Sequence, residues 1–349
     1  MTVPGAGDPA ARGTRPGRLG VGVVGAGRVG AVLGCALRSV GHPVVAASGI
    51  SAGSRDRIDA LLPGVPVLEV PDVVERAELI LLTVPDDALA PLVAGLAEVR
   101  AWQPGQLVLH TSGRYGTAVL APARAAGAIP LAVHPAMTFT GTSLDLARLV
   151  GCCFAVTAPA PVLPIAQALV VELGGEPVVV AEEARPLYHA ALAHGANHLV
   201  VLVAQAAQAL TAAGVEDPGR VLGPLLGAAL DGALRASSVT DGPGAIATLT
   251  GPVARGDVGT VVDHLAELTA LAARDAALDV PEGYRALARS GTQRALAAGR
   301  LREDAAQALL DALTDPPPPP DGARPPGPAG TPGPASPPPR PPDTPEDPA

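Results

Sequence analysis

The chain contains no lysine: all 24 of its basic residues are arginine. Ala, Gly, Pro and Arg are all abundant, the composition of a GC-rich genome. Whatever its origin, the absence removes lysine as Schiff-base former, general acid or general base. Aromatics are scarce too, with one Trp, three Tyr and two Phe, and the net charge is −9. A nucleic-acid surface needs basic charge and stacking rings, so no nucleic-acid partner is expected. Only three cysteines occur, Cys35, Cys152 and Cys153, an odd number with two adjacent. That argues against a disulfide framework and fits a reducing, cytoplasmic setting. The N-terminal segment lacks the apolar run of a secretory signal. No apolar run of about 18 residues is free of polar residues, glycine and proline. The nearest, 199–210, is shorter and carries Gln205 and Gln208, so no membrane association is expected.

Against these absences stands a concentration of glycine. Residues 21–34 read VGVVGAGRVGAVLG, in which Gly25, Gly27 and Gly30 set the spacing G-x-G-x-x-G. An apolar run precedes them at 19–24, and a helical run follows at 29–40. In that context the first glycine makes a tight turn, the second lets backbone approach a pyrophosphate, and the third lets helix pack on strand. Arg28 and Val29 stand at the helix start, where free N–H groups and the positive dipole end meet phosphate. The predicted ligand is a nicotinamide dinucleotide.

The second strand indicates which one. NAD-preferring sites usually carry Asp or Glu about 20 residues beyond the first glycine. Here the strand ends Val45-Ala46-Ala47-Ser48, and the first acid after it is Asp56. Ser48, Ser51, Ser54, Arg55 and Arg57 occupy the loop instead. Hydroxyls and guanidinium groups suit a 2′-phosphate that a carboxylate would repel. NADP(H) is the expected cofactor, and an NAD site with an unusual loop is the alternative.

Periodicity divides the chain into four parts. Residues 1–18 read as a disordered arm, and 315–349 as a disordered tail, since 17 of the last 34 residues are proline. From 19 to 181, short apolar runs alternate with helical segments. Strands are predicted at 19–24, 43–47, 65–68, 79–84, 106–110, 129–133, 154–157 and 177–180, with helices such as 85–96 and 162–173. This alternation predicts a mainly parallel, doubly wound α/β sheet. From 182 to 314, Ala/Leu-rich segments predict an all-helical domain, broken at 214–218, 241–244 and 250–256.

Open α/β sheets bind ligands beyond the carboxyl ends of their strands. Those ends read Thr83-Val84-Pro85-Asp86-Asp87, His110-Thr111-Ser112-Gly113 and His134-Pro135-Ala136-Met137-Thr138. Val84, Pro85 and His110 are candidates to border the cofactor, and Ser112 to face the substrate, although Pro85 also suits a helix start. His134 reads equally as a packed histidine or as a substrate-facing one. Within Tyr188-His189-Ala190-Ala191-Leu192-Ala193-His194-Gly195-Ala196-Asn197-His198, a helix turning about every 3.6 residues gathers His194, Asn197, His198, Gln205 and Gln208 into one polar stripe. His194 and His198 also have the i, i+4 spacing of metal ligands, but no H-E-x-x-H pattern or third ligand accompanies them, so no metal is expected. Arg255, in Leu249-Thr250-Gly251-Pro252-Val253-Ala254-Arg255-Gly256-Asp257, reads either as a substrate-carboxylate clamp or as a turn residue paired with Asp257.

The ordered series GVVGAGRVG, LLTVPDDAL, LHTSG, HPAMTF, YHAALAHGANHL and LTGPVARGD resembles a bacterial group within the superfamily of pyrroline-5-carboxylate reductase and deazaflavin-dependent NADP oxidoreductase. The likeness covers residues 19 to 313. It implies a Rossmann-like doubly wound sheet followed by an all-helical C-terminal domain that pairs with a second copy as a homodimer. It also implies an NADPH-dependent reductase of a small 2-oxo acid, 2-dehydropantoate to pantoate being the leading substrate, with Asn197 bonding it. Ketopantoate and hydroxyacid reductases of similar architecture use a lysine on the first long helix of the second domain, which this chain lacks. His194, His198 and His134 are the candidate acids in its place, with Ser112 orienting the carbonyl. A cyclic-imine reductase and a non-catalytic NADP-binding sensor are the alternatives.

Overall fold

A computed structural model of the chain describes residues 18–239 and 242–314. The expected N-terminal arm, Arg18 aside, and the proline-rich tail lie outside the described residues.

Seven strands form one sheet: β1 (Val21–Val24), β2 (Val44–Ser48), β3 (Leu79–Leu82), β4 (Leu107–His110), β5 (Ile129–Pro135), β6 (Cys153–Thr157) and β7 (Glu176–Val179). Their order is β2-β1-β3-β4-β5-β6-β7. The first five are parallel, whereas β6 runs antiparallel to β5 and β7 parallel to β6. The chain reverses direction across the sheet between β1 and β3, the kind of switch point at which such sheets open a ligand crevice.

Side chains alternate across the sheet with a period of two, as strand geometry requires. Leu79, Leu81, Leu107 and Leu109 enter one core with Val21 and Val23. Ile80, Leu82, Val108 and Val24 enter the other. The first core is roofed by α1 (Arg28–Ser39), α2 (Ala52–Leu61), α6 (Leu144–Leu149) and α7 (Leu163–Glu172). The second is covered by α3 (Val70–Arg76), α4 (Asp86–Glu98) and α5 (Ala121–Ala125). Full burial of each such leucine contributes about 2 kcal/mol, so this double layer fixes the strand ends that carry the chemistry.

One predicted strand is corrected. Residues 65–68 make only a single bridge, Val67 to Ala47. Pro66 has no N–H to donate to a ladder, and Pro71 lies at the start of α3 directly afterwards.

The helical half comprises α8 (Arg185–Ala212), α9 (Pro218–Ser237), α10 (Gly251–Arg255), α11 (Val258–Asp275), α12 (Asp279–Ala297) and α13 (Glu303–Ala312). Asp217 and Asp257 cap α9 and α11 by accepting from Arg220 N–H and Thr260 N–H, as short acidic side chains do at N-caps. Packing divides the chain between Leu202 and Val203, inside α8, rather than where the sequence pattern changes near 182. The sheet unit therefore includes nearly the first two thirds of this 28-residue helix. The second unit has its own core, including Val261, Ala295, Leu309 and Leu313. The segment from Glu182 to Ala212 is, by length and composition, apolar enough to cross a membrane. It exceeds the stretch judged from sequence because the helix continues on both sides of it.

Candidate functional site

At the end of β1 the chain turns on Gly25, whose φ of +85° is in the left-handed region that suits glycine. Its N–H donates to Ser48 Oγ (3.1 Å), and Thr83 Oγ1 donates to its carbonyl (2.7 Å). A side chain on Gly30 would strike Thr83 Oγ1 and the Gly25 carbonyl, so α1 packs here only with glycine. Gly27 occupies the N-cap of α1 and supplies no side-chain cap, and the first turn holds no acid. The opening N–H groups of this helix therefore remain available to an anion. Val84 Cγ1 would lie 3.0 Å from a Cβ on Gly25, and Pro85 is the N-cap of α4. Val84 thus borders the glycine turn, and Pro85 opens the helix that follows it.

The loop after β2 is arranged differently from expectation. Ser48 is engaged with Gly25 N–H, and Ser54 is buried, its hydroxyl donating to Ser51 O (2.7 Å). Neither hydroxyl group is an open phosphate contact. Arg55 is exposed, whereas Arg57 donates to Gly53 O and its Nε lies 2.8 Å from where Gly141 would carry a Cβ. Arg28 Cγ lies 2.9 Å from that same point. Arg28 and Arg57 thus converge beneath the loop 140–142. That loop is pinned by the fully buried Asp145, which accepts from Thr140 N–H, Gly141 N–H and Thr140 Oγ1. Sequence offered Arg57 only as one of two loop arginines.

A second cluster lies at the ends of β4 and β5. His134 Nδ1 and Tyr188 Oη are 3.0 Å apart, and the His134 ring meets those of Tyr188 and His189 edge-on. Gly113 makes room for them: a Cβ there would fall 2.8 Å from His189 Cδ2 and 3.0 Å from His134 Nε2. His134, Met137, Thr138, His189, Ala193 and Asn197 line a cleft of about 310 Å³. Burial, reinforced by the Arg185 charge, lowers the His134 pKa to about 4, so the ring is neutral near pH 7. Desolvation raises the Tyr188 phenol, and Arg185 partly offsets it.

Several expected residues take other places. His110 is fully buried, with Nε2 bonded to Gly116 O (2.8 Å) and Nδ1 accepting from Ser112 N–H (3.2 Å). It shapes the loop 111–116 and presents no ring nitrogen to a cofactor; burial lowers its pKa to about 4. Ser112 Oγ accepts from the N–H groups of Arg114 and Tyr115, organising the same loop. His194 and His198 are exposed and bond one another, Nδ1 to Nδ1 at 2.8 Å, and neither lines the cleft. Of the polar stripe, only Asn197 reaches it. Arg255 lies in the second unit, 65% exposed and 3.9 Å from Asp257, so the turn-pair reading describes its observed contact. Tyr188, His189 and Arg185 were present in the sequence but not singled out. Positions 189, 193, 196 and 197 share one helix face, and that spacing is the signal that would have found the histidine.

Residues 4–135 match the model of a Rossmann-like domain, and residues 152–291 match that of a domain of unknown function, DUF2520. Among solved structures, a candidate NADP oxidoreductase from Bacteroides fragilis is 21% identical, with a TM-score of 0.61 over 78% of this chain and 97% of its own. An imine reductase from Myxococcus stipitatus in complex with NADP+ is 17% identical, with a TM-score of 0.58 over 84% of this chain and 99% of its own. A reductive aminase from Aspergillus terreus, in complex with NADPH and ethyl-5-oxohexanoate, is 16% identical, with a TM-score of 0.56 over 85% and 100%. At identities this low the likeness shows the fold alone. A sequence search of curated proteins finds no match. The chain thus matches the Rossmann-like model up to the end of β5 and the DUF2520 model from β6 into α12.

Proposed function

We propose that this protein is an NADPH-dependent reductase of a carbon–nitrogen double bond in a small molecule. The observation that carries the reading is His134, which lines the cleft at the end of β5 and is joined at Nδ1 to Tyr188 Oη. Both are weak acids in this setting, His134 because it is neutral and Tyr188 because desolvation raises its phenol. An imine nitrogen is far more basic than a carbonyl oxygen, so a weak acid suffices to protonate it. The neighbours named as imine reductase and reductive aminase support the same chemistry.

The uncapped start of α1 receives the cofactor pyrophosphate, and Arg28 and Arg57 receive the 2′-phosphate. Bound NADPH supplies the hydride. Tyr188 Oη–H donates to His134 Nδ1, which places a proton on Nε2, the nitrogen beside Gly113. As the substrate nitrogen takes that proton, the phenol proton moves to Nδ1, and solvent later restores it. Asn197 orients the substrate from the helix side of the cleft. A 2-oxo acid such as 2-dehydropantoate is the second reading, favoured by Asn197 as a hydrogen-bonding residue for a carbonyl.

The working unit in this proposal is a homodimer in the cytoplasm. Leu187 and Val200 on α8 are 75% and 69% exposed, and Leu225 and Leu234 on α9 are 63% and 61% exposed. Apolar surface on this scale calls for a cover. The polar residues His194, Asn197, His198, Gln205 and Gln208 on α8 fit a protein cover better than lipid. NADPH oxidation measured with cyclic imines against 2-oxo acids tests the function. Faster turnover of an imine is expected. Preference for 2-dehydropantoate installs the second reading, and tight NADPH binding without any turnover indicates a sensor.

A further inference from the structure

Arg185 is the largest fully buried side chain of the sheet unit and is 0% exposed. Its partners are all neutral oxygens. Nε donates to Thr157 Oγ1 (2.8 Å), Nη1 to Ser112 O (3.1 Å), and Nη2 to Ala132 O (2.8 Å) and Ala155 O (3.0 Å). A guanidinium group remains protonated in proteins, so a full positive charge is held inside with no carboxylate on it. Glu182, three residues earlier, favours the charge from a distance, but its carboxylate is bonded elsewhere, accepting from Thr117 N–H, Thr117 Oγ1 and Ala118 N–H. Burying a charge without a directly bonded counter-ion is costly, and an arrangement that maintains it against the backbone leading to Gly113 and His134 invites a functional reason.

Tyr188 supplies that reason. It lies one helical turn beyond Arg185, and its phenol is joined to His134 Nδ1. We infer that Arg185 is a positioning residue for the proton transfer: its buried guanidinium is the fixed cation that balances the negative charge left on Tyr188 when the His134–Tyr188 pair gives up a proton. This rests on the reading of that pair as the proton source. A chain without lysine has only arginine to supply a permanent charge there, and burial keeps the field unscreened by salt. The same guanidinium holds the Ser112 carbonyl, and so the backbone on which Gly113 makes room for both histidines. The other titratable groups facing the phenol are His134 from β5 and Cys152 and Cys153 at the start of β6, while His189 from the same helix meets the His134 ring. None of these carries a permanent charge.

The phenolate absorbance of Tyr188, read as the difference between the wild type and Tyr188→Phe across pH, reports the charge without requiring turnover. In Arg185→Gln and Arg185→Met, the midpoint is expected to rise by about one unit or more, the usual reach of a neighbouring opposite charge. In both, kcat for NADPH oxidation is expected to fall at least about tenfold. Arg185→Lys should keep the wild-type midpoint and most of kcat. Neutral variants that fold but leave the midpoint unmoved overturn the inference, whatever happens to kcat. If neither neutral variant folds, Arg185→Lys decides. A retained midpoint with at least about a tenth of kcat supports the charge, and a folded protein as slow as Tyr188→Phe overturns it. Should Tyr188→Phe itself turn over at the wild-type rate, the reading of the pair fails, while the titration still shows whether Arg185 acts on the phenol.

Discussion

The phenol oxygen of Tyr188 lies 3.0 Å from Nδ1 of His134, tying the first turn of α8 to the end of β5. Residues that share one proton act as a unit, so their losses should not add. His134→Gln and Tyr188→Phe should each lower kcat by about 10²- to 10⁴-fold, the ordinary range for removing a positioned acid. The double variant should be little slower than the worse single one. Steady-state rates of NADPH oxidation for the four proteins decide this, and additive losses would show two independent roles.

The same burial makes stability depend on pH. His110 has a folded pKa of about 4 against an ordinary value of 6.5, because desolvation disfavours its charged form. Between those two values the unfolded chain binds the proton and the folded chain does not, so stability falls as pH falls from 6.5 towards 4. One fully buried histidine accounts for about 3 kcal/mol across that window. His134 is lowered in the same direction. Urea unfolding at pH 7 and pH 4.5 should show the loss, and it should shrink in His110→Gln if that variant folds. A stability independent of pH over this range would contradict the burial.

How much of this was legible follows from the range of each signal. The glycine turn and the alternating strands are local, and Gly25, Gly30 and the runs 79–82 and 107–110 declare themselves over a few residues. The antiparallel placement of β6 is set by packing and leaves no local mark. His134 stood open between two readings because its partner, Tyr188, is 54 residues away. Polarity drew attention to His194 and His198, yet they bond each other in the open, while the less polar face with His189, Ala193 and Ala196 lines the cleft. Arg185 carries no local signal, and only the assembled sheet shows the three carbonyls it meets, one in the loop after β4 and one each within β5 and β6.

Arg57 and Arg55 should separate as cofactor contacts. Arg57 is half-buried beside Arg28 under Gly141, whereas Arg55 is exposed. A charge-assisted hydrogen bond contributes about 1.5–3 kcal/mol, so Arg57→Ala should weaken NADPH binding roughly 10- to 100-fold. NADH, which lacks the 2′-phosphate, should bind almost unchanged. Arg55→Ala should move neither by more than about threefold, as for an exposed charge. Calorimetric titration of both dinucleotides into both variants checks the assignment. Equal weakening of NADH and NADPH in Arg57→Ala would show that the residue supports the loop and not the phosphate.

Gly30→Ala tests the packing that creates the anion site. The added methyl group would overlap Thr83 Oγ1 and approach the Gly25 carbonyl to 2.7 Å, and backbone cannot yield as a flexible side chain does. Overpacking of this kind costs about 1–3 kcal/mol. It would also push α1 away from β1 and carry the N–H groups of Arg28 and Val29 out of line with a phosphate. The melting temperature and NADPH affinity should therefore fall together. Adding Thr83→Ala removes one of the two obstructions and leaves the carbonyl, so recovery should be partial in both measurements. Full recovery would place the whole obstruction at Thr83, and no loss in the single variant would mean that α1 does not need glycine to reach the sheet.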